Sequence, residues 1–387
     1  MKKVGLFFGG MSNEHEISIS SAKNIIKHID TTKYEVVLLF WTKEGFFYKL
    51  DDISQVNHLD ENKRVFFEEI THYIDIALPM THGKYWEDGV LQGLCERQKI
   101  PYCWCHVLWS SICMDKGIFK ELMKLHEIEQ TAFEVMDLSL LSPQEVAEKL
   151  VFIDQTFTFP LYVKPANSWS SLGISRVEDR IHLQQAVLEA SQHDSKIVIE
   201  EWLLSPQEIE IAILGNEHLI ISEPGALILT KDFYDYEDKY KHKEAKVEIP
   251  ANIPEHQKRA IKQLAERIYK ICECRGFARV DFFIVDDKIY VNEINTLPGF
   301  TDISMFPMLM QYTGMSYTDL IDKIITSGAS CKDVKNVSLV EPVRDQQKPN
   351  AQWQSIIEQE FSHSWYTGLA HLYQRFLHEV LSSSHSC

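Results

Sequence analysis

Short apolar runs alternate with stretches of helical spacing through the N-terminal part of the chain. Residues 4–8 form a brief apolar run that predicts a buried strand. Gly9-Gly10-Met11-Ser12 then reads as a loop. Residues 18–29 carry apolar side chains at helical spacing. Strands are predicted at 34–40 and 74–79, the second ending in Thr81-His82-Gly83. A helix at 89–99 and a short strand at 100–103 follow. This order predicts an α/β fold opening on a doubly wound parallel sheet. Ligand loops in such sheets lie at the carboxyl ends of strands. Glu14 and His82 both occupy such places.

A second segment starts near Cys105, with a helix at 114–126, a strand at 161–164 and a loop at 165–173. A third starts near Glu200 and holds strands, a loop at 230–243 and a helix at 251–271. It ends in strands at 278–285 and 288–294, joined by a turn at Asp286-Asp287. Side chains alternate faces along a strand. Arg279 and Asp281 therefore share a face, as do Glu293 and Asn295. If the faces coincide, three oxygen ligands and an arginine converge, as an ATP site with Mg²⁺ requires. A solvated hairpin face would show the same alternation. The Pro298-Gly299 step beside the acidic groups favours a site, because it exposes backbone N–H groups to a ligand. Lys164, followed by a small-residue loop, could hold phosphate, or be a salt-bridged strand lysine before an ordinary turn. The apolar run 197–203, leading to Glu208, could sandwich a flat base or be a plain buried strand.

Past Gly328 the pattern changes. Residues 329–352 read as a polar linker containing Pro342 and Pro349. Residues 353–387 form an amphipathic helical extension, packed on the main body or offered to a partner.

Composition narrows the function classes. The chain has 387 residues, 45% hydrophobic, enough for two or three domains. Its net charge of −17 argues against nucleic acid as a partner, which needs a basic footprint. No apolar run reaches the ~20 residues that span a bilayer. MKKVGLFFGG opens like a signal peptide, but its apolar part is too short, so the chain is expected in the cytoplasm. The eight cysteines show no disulfide framework. The pairs Cys103/Cys105 and Cys272/Cys274 lack zinc spacing, and free thiols are the expectation.

The segments GGMSNEHEIS at 9–18, HGKYWEDGVLQGL at 82–94, SICMDK at 111–116 and VKPANSWSSLG at 163–173 are specific in this order. FYDYEDKY at 233–240, RVDFF at 279–283 and NEINTLPGFTDISMFP at 292–307 complete the set. Over residues 1–328 the chain resembles the D-alanine–D-alanine ligase family of the ATP-grasp superfamily, which includes D-Ala–D-Lac and D-Ala–D-Ser ligases. The resemblance implies a substrate-binding domain at 1–105 and ATP-grasp subdomains at 106–200 and 201–328 that enclose ATP. It implies ATP-dependent joining of two D-alanines through a D-alanyl phosphate, for peptidoglycan synthesis, by a homodimer. Lys116 and Lys164 would hold ATP phosphates, and Glu200, Glu201, Trp202, Leu203 and Glu208 would line the adenine and ribose pocket, with Asn292 also on ATP. Asp281, Glu293 and Asn295 would bind two Mg²⁺ (or Mn²⁺) ions. Glu14 would hold the first D-alanine's ammonium in a network with Ser170 and Tyr240, with His82 nearby. Arg279 and the Gly299 N–H would form the oxyanion site, and Ser304 and Met305 would receive the second carboxylate. Lys239 would sit on the loop that closes over the phosphates. Tyr240 and Met305 both favour D-alanine as second substrate within that resemblance.

Some positions depart from the family pattern. Trp86, Trp104 and Trp169 stand where glycine is usual, Ser168 where an acid is common, and the 201–208 hinge is one residue longer. Tryptophan loses glycine's backbone freedom and adds a large ring. Either compensating packing absorbs these changes or the first-substrate pocket is reshaped. Ligation of a different pair, and a nucleotide-binding protein acting through its C-terminal helix, are the alternatives.

Overall fold

The computed structural model describes residues 1–168, 173–228 and 246–330. The expectations for Trp169, Ser170, the loop carrying Lys239 and Tyr240, the linker past residue 330 and the extension at 353–387 lie outside the described residues.

The first sheet comprises β1 (Lys2–Gly9), β2 (Tyr34–Trp41), β3 (Phe47–Leu50), β4 (Arg64–Val65) and β5 (Ile76–Pro79), in the order β4-β3-β2-β1-β5. β1 pairs in parallel with both β2 and β5, and Tyr102 adds a parallel bridge to Ala77. The expected parallel centre is present, but β3 and β4 extend it as an antiparallel edge. The cause is a tight turn after β2, where the Thr42 N–H donates to the Phe46 carbonyl at 2.9 Å and Gly45 takes φ +94°. Helix α1 (His15–His28) follows the loop after β1. The Ser18 hydroxyl accepts from Gly9 N–H at 2.7 Å and donates to the Met80 carbonyl at 2.6 Å. One buried side chain on α1 thus holds the carboxyl ends of β1 and β5 together.

α2 (Val90–Arg97) precedes a helix pair, α3 (Val107–Met114) and α4 (Lys116–Leu125). The single helix expected at 114–126 therefore starts two residues later. Asp115 is extended, at ψ +100°, and its carboxylate caps α4 through the Ile118 N–H at 2.9 Å. The second sheet holds β6 (Phe133–Asp137), β7 (Leu161–Pro165), β8 (Ser175–Val177) and β9 (Lys196–Glu201), all pairs antiparallel. Helices α5 (Pro143–Thr156) and α6 (Arg180–Ala190) pack on it. The third sheet holds β10 (Gln207–Leu214), β11 (Ile220–Ile221), β12 (Gly225–Ile228), β13 (Lys246–Glu248), β14 (Phe277–Val285) and β15 (Lys288–Asn295). α7 (Glu255–Ile271) packs against β10, followed by the hairpin and then α8 (Met305–Tyr312) and α9 (Tyr317–Ser330).

α9 packs against α1 and β5, so the end of the described chain returns to the first sheet. Phe300, Phe306, Leu320 and Ile324 share one core with Leu6, Phe7 and Leu78. Trp86 and Trp104 are both core residues, 0% and 1% exposed. Trp86 meets Trp41 edge-on, with ring centroids 4.0 Å apart, and Trp104 lies 4.6 Å from Tyr102. Gly10, at φ +104°, lies so close to the Trp86 indole that any Cβ there would strike the ring. Bulk gained at Trp86 is thus accommodated by glycine at position 10. Among the described residues no helix is long and apolar enough to cross a membrane.

Replacing Trp86 with glycine empties this position. The expected outcome is a loss of about 3–5 kcal/mol of stability, measured by urea unfolding, as for other large aromatic truncations in cores.

Candidate active site

The hairpin β14–β15 supplies the densest polar face. Arg279 pairs directly with Asn295, and Asp281 with Glu293. The two faces left open by sequence therefore coincide. On the other side of β14, Glu210 pairs with Asp281, and Glu208 with Phe283. A bulge follows Asp281, because Phe282 pairs with Val291 and Asn292 is left over. Glu293 and its neighbour Asn292 consequently both line a cavity of about 230 Å³.

Arg279 is the hub of this face. Its Nε and Nη2 each donate to Asp281 at 2.7 Å, and its Nε lies 2.9 Å from Glu210 Oε2. Burial alone would lower the guanidinium's pKa, but the Asp281 and Glu210 carboxylates hold it well above its ordinary value. The donor set of Asp281, Glu293 and Asn295 is all oxygen, which suits a hard cation. Among the described residues, no three His, Cys, Asp or Glu groups form a metal cage by themselves. The set therefore fits an ion that takes its remaining ligands from phosphate and water, the usual habit of Mg²⁺.

The opposite wall comes from the first sheet. Glu14 is the N-cap residue of α1, and His82 follows β5. Both line the cavity. The Ser12 hydroxyl ties the two loops by donating to the His82 carbonyl at 2.6 Å. The His82 ring contacts the Leu297 carbonyl through Nδ1 at 3.2 Å and Ser21 Oγ through Nε2 at 3.1 Å. Burial lowers the His82 pKa, against the raising field of Glu14, which favours a neutral ring.

The loop after β15 closes the third side. The Phe300 carbonyl accepts from Asn24 Nδ2 at 2.9 Å and Tyr317 Oη at 2.7 Å, and its N–H donates to Ser21 Oγ at 3.3 Å. A Cβ at Gly299 would lie 2.7 Å from Ser304 Oγ, so glycine allows this approach. Ser304 is the N-cap residue of α8 and Met305 its first residue, and both line the cavity. A helix N-terminus favours an anion there.

Lysines flank the far end. Lys116 Nζ donates to the Ser168 carbonyl at 2.6 Å and lies 3.7 Å from Glu293 Oε2. Lys164 is ion-paired with Glu200. Glu201 Oε1 accepts from the Thr158 N–H at 2.9 Å, and the Trp202 ring lies 4.6 Å from Tyr162, with Arg176 over it at 4.3 Å.

Known proteins match the chain over most of its length. The family described as D-ala D-ala ligase N-terminus matches residues 3–105, and the D-ala D-ala ligase C-terminus matches residues 122–326. A D-alanine–D-alanine ligase of Caldicellulosiruptor bescii is 44% identical over 352 residues, covering 84% of this chain and 94% of the relative. The chain belongs to the D-alanine–D-alanine ligase family. Its fold is the ATP-grasp fold of that family. The crystal structure of the VanG D-Ala:D-Ser ligase from Enterococcus faecalis superposes with a TM-score of 0.75 at 32% identity, covering 84% of this chain and 99% of that one. A Bacillus anthracis D-alanine–D-alanine ligase complexed with ATP superposes at 0.68 and 28% identity, covering 86% and 99%.

Against this family frame, the cavity gathers most of the expected residues. It brings together Glu14, His82, Glu208, Arg279, Asp281 and Asn292, with Glu293, Asn295, Gly299, Ser304 and Met305. Lys116, Lys164, Glu200, Glu201, Trp202 and Leu203 are not among its lining residues. Trp86 does not line it either, so the ring fills the core rather than narrowing this space. Three polar residues were missed in the sequence. Glu210 follows Glu208 at the strand period in QEIEIAIL, a signal that was present. Lys120 follows Lys116 by one helical turn. Glu87 lies inside the motif at 82–94, but no spacing there sets it apart from Asp88 beside it.

Glu87 is 3% exposed and lines the cavity. Its Oε1 accepts from Gly83 N–H at 3.1 Å, and Oε2 has no hydrogen-bond partner among the described residues. Burial, then the Glu14 charge, pushes its carboxyl well above 4.5. The unfolded chain releases this proton first as pH rises past its ordinary value, so stability falls above that pH until the folded group also titrates. Glu87→Gln removes the penalty. Urea unfolding should find the variant more stable than wild type at about pH 8, with the advantage gone by about pH 4.

Proposed function

We propose that the protein joins two D-alanines to D-alanyl-D-alanine, consuming ATP through a D-alanyl phosphate, as a step in peptidoglycan precursor synthesis. The observation that carries this reading is the shared cavity. Arg279, Asp281, Glu293 and Asn295 face Glu14 and His82 across it, with Gly299 and Ser304 beside them. Family membership supports ATP as co-substrate. Buried free cysteines support the cytoplasm as the site of action, and the family is the basis for a homodimer. The three sheets support division at 1–105, 106–200 and 201–328, each range holding one sheet to within a residue.

The chemistry assigns each group a task. A carboxylate is a poor electrophile, and phosphorylation by ATP activates it. Glu14 receives the first D-alanine's ammonium. Lys116 and Lys164 hold phosphate oxygens, with Lys239 on the covering loop. Glu200, Glu201, Trp202, Leu203, Glu208 and Asn292 frame the nucleotide. Two Mg²⁺ ions, held by Asp281, Glu293 and Asn295, would offset charge on the phosphates. The second amine then attacks the acyl phosphate. Arg279 and the Gly299 N–H stabilise the oxyanion. Ser304 and the α8 N-terminus bind the second carboxylate. Ser170 and Tyr240 complete the Glu14 network and the exclusion of water.

The likeness to a D-Ala:D-Ser ligase favours D-serine as the competing second substrate. Met305, apolar and 6% exposed, offers no partner to a serine hydroxyl and favours D-alanine.

Phosphate release from Mg-ATP with D-alanine, D-serine, D-lactate or L-amino acids tests the assignment. Turnover with D-alanine alone is expected, and turnover only with another pair would sink it. Arg279→Ala should lower kcat by about 10²–10³-fold or more while ATP still binds. Full activity in that variant would refute the oxyanion role.

A further inference from the structure

Lys120 lies one turn beyond Lys116 on α4 and is 2% exposed. Its ammonium is 2.8 Å from Glu200 Oε2 and donates to Thr131 Oγ1 at 3.1 Å. Thr131 Oγ1 in turn donates to Glu200 Oε2 at 3.2 Å. The other oxygen of Glu200, Oε1, is taken by Lys164. One buried carboxylate therefore stands between two ammonium groups. Burial pushes the Glu200 carboxyl up, but Lys120 and Lys164 outweigh it and bring it down to about 2. Glu200 is thus an anion at neutral pH.

Charge counting shows what the arrangement does. Lys164 and Glu200 alone would cancel and leave little attraction for an anion. Lys120 adds a second positive charge against the same carboxylate. The surplus is presented by the less buried lysine, since the Lys164 side chain is 10% exposed and that of Lys120 2%. Lys116 contributes no surplus, because Glu293 stands 3.7 Å away. A buried net charge is costly until a counter-ion arrives.

We propose that Lys120 is a positioning residue for ATP, taking up the Glu200 charge so that Lys164 keeps an uncancelled positive charge for a phosphate. It never touches nucleotide. The proposal rests on the reading of Lys164 as a phosphate ligand.

The test uses the full chain, with steady-state kinetics and ATP binding by calorimetry, and a thermal melt for each variant. Lys120→Met should raise the KM and Kd for ATP about 10-fold or more, the size of one lost charge-assisted contact, with the D-alanine KM within about twofold. Lys120→Arg should bind ATP as wild type does. If Lys120 acts through the Glu200 charge, then in a Glu200→Gln background, whatever that change itself costs the nucleotide pocket, adding Lys120→Met should alter ATP affinity by less than about threefold. Lys120→Gln, which keeps an N–H donor for Glu200 but not the charge, should weaken ATP binding as Lys120→Met does, and serves as the test if Lys120→Met fails to fold. Unchanged ATP affinity in Lys120→Met or Lys120→Gln, or a full loss from Lys120→Met in the Glu200→Gln background, would each overturn the proposal. Wild type that binds no ATP would overturn the phosphate reading of Lys164 as well.

Discussion

Strand register around β14 is the constraint on which the rest of the site depends. β14 pairs with β10 on one side and β15 on the other. That double pairing stacks Glu210, Asp281 and Glu293 in one row across three strands, with Arg279 and Asn295 one step along. A slip of one residue in β14 would turn Arg279 and Asp281 toward the apolar core and pull Val280, Phe282 and, opposite Val280, Ile294 out of their packing. Burial of those apolar neighbours, at 0%, 1% and 0% exposure, is what makes the register costly to change. The polar row is a consequence of the buried row behind it.

Crowding carboxylates on one face requires positive charge close by. Arg279 satisfies Asp281 and Glu210, Lys116 stands near Glu293, and Lys120 and Lys164 share Glu200. Each pairing is buried or nearly so, where unpaired charge costs several kcal/mol. These charged groups are therefore held by one another, and the fold itself sets their electrostatic frame. Glu87 is the exception. Burial first, and the Glu14 charge second, raise its carboxyl well above the usual carboxylate range.

The two walls of the cavity come from distant parts of the sequence, joined by few bonds. Ser21 and Asn24 on α1 hold Phe300, His82 holds Leu297, and Tyr317 on α9 reaches the same Phe300 carbonyl. These contacts bring the loop around Gly299 against the loop around Glu14. Behind the Glu14 loop, Trp86 and Trp41 form a floor that Gly10 alone allows the backbone to approach. Trp86, one of the three tryptophans that depart from the family pattern, acts through packing.

Periodicity and motif spacing determined much of this protein. The hairpin, its turn at Asp286, the parallel strands and the placing of Glu14 and His82 after strands were legible, because each depends on local alternation and turn chemistry. The family was legible too, because its motifs are short and contiguous. Other elements escaped despite local signals. Ser142-Pro143-Gln144-Glu145 is a capping box that opens α5, and Asp115 is the cap that divides α3 from α4. Only the tertiary structure decided that Arg279 would bind Asp281 and Glu210 together, that Asn292 would be the bulged residue, and that one carboxylate would serve both Lys120 and Lys164. It also decided that Trp86 would lie in the core. Those outcomes turn on which strands become neighbours and which side chains meet after burial, and such distances have no counterpart in the spacing of residues along the chain.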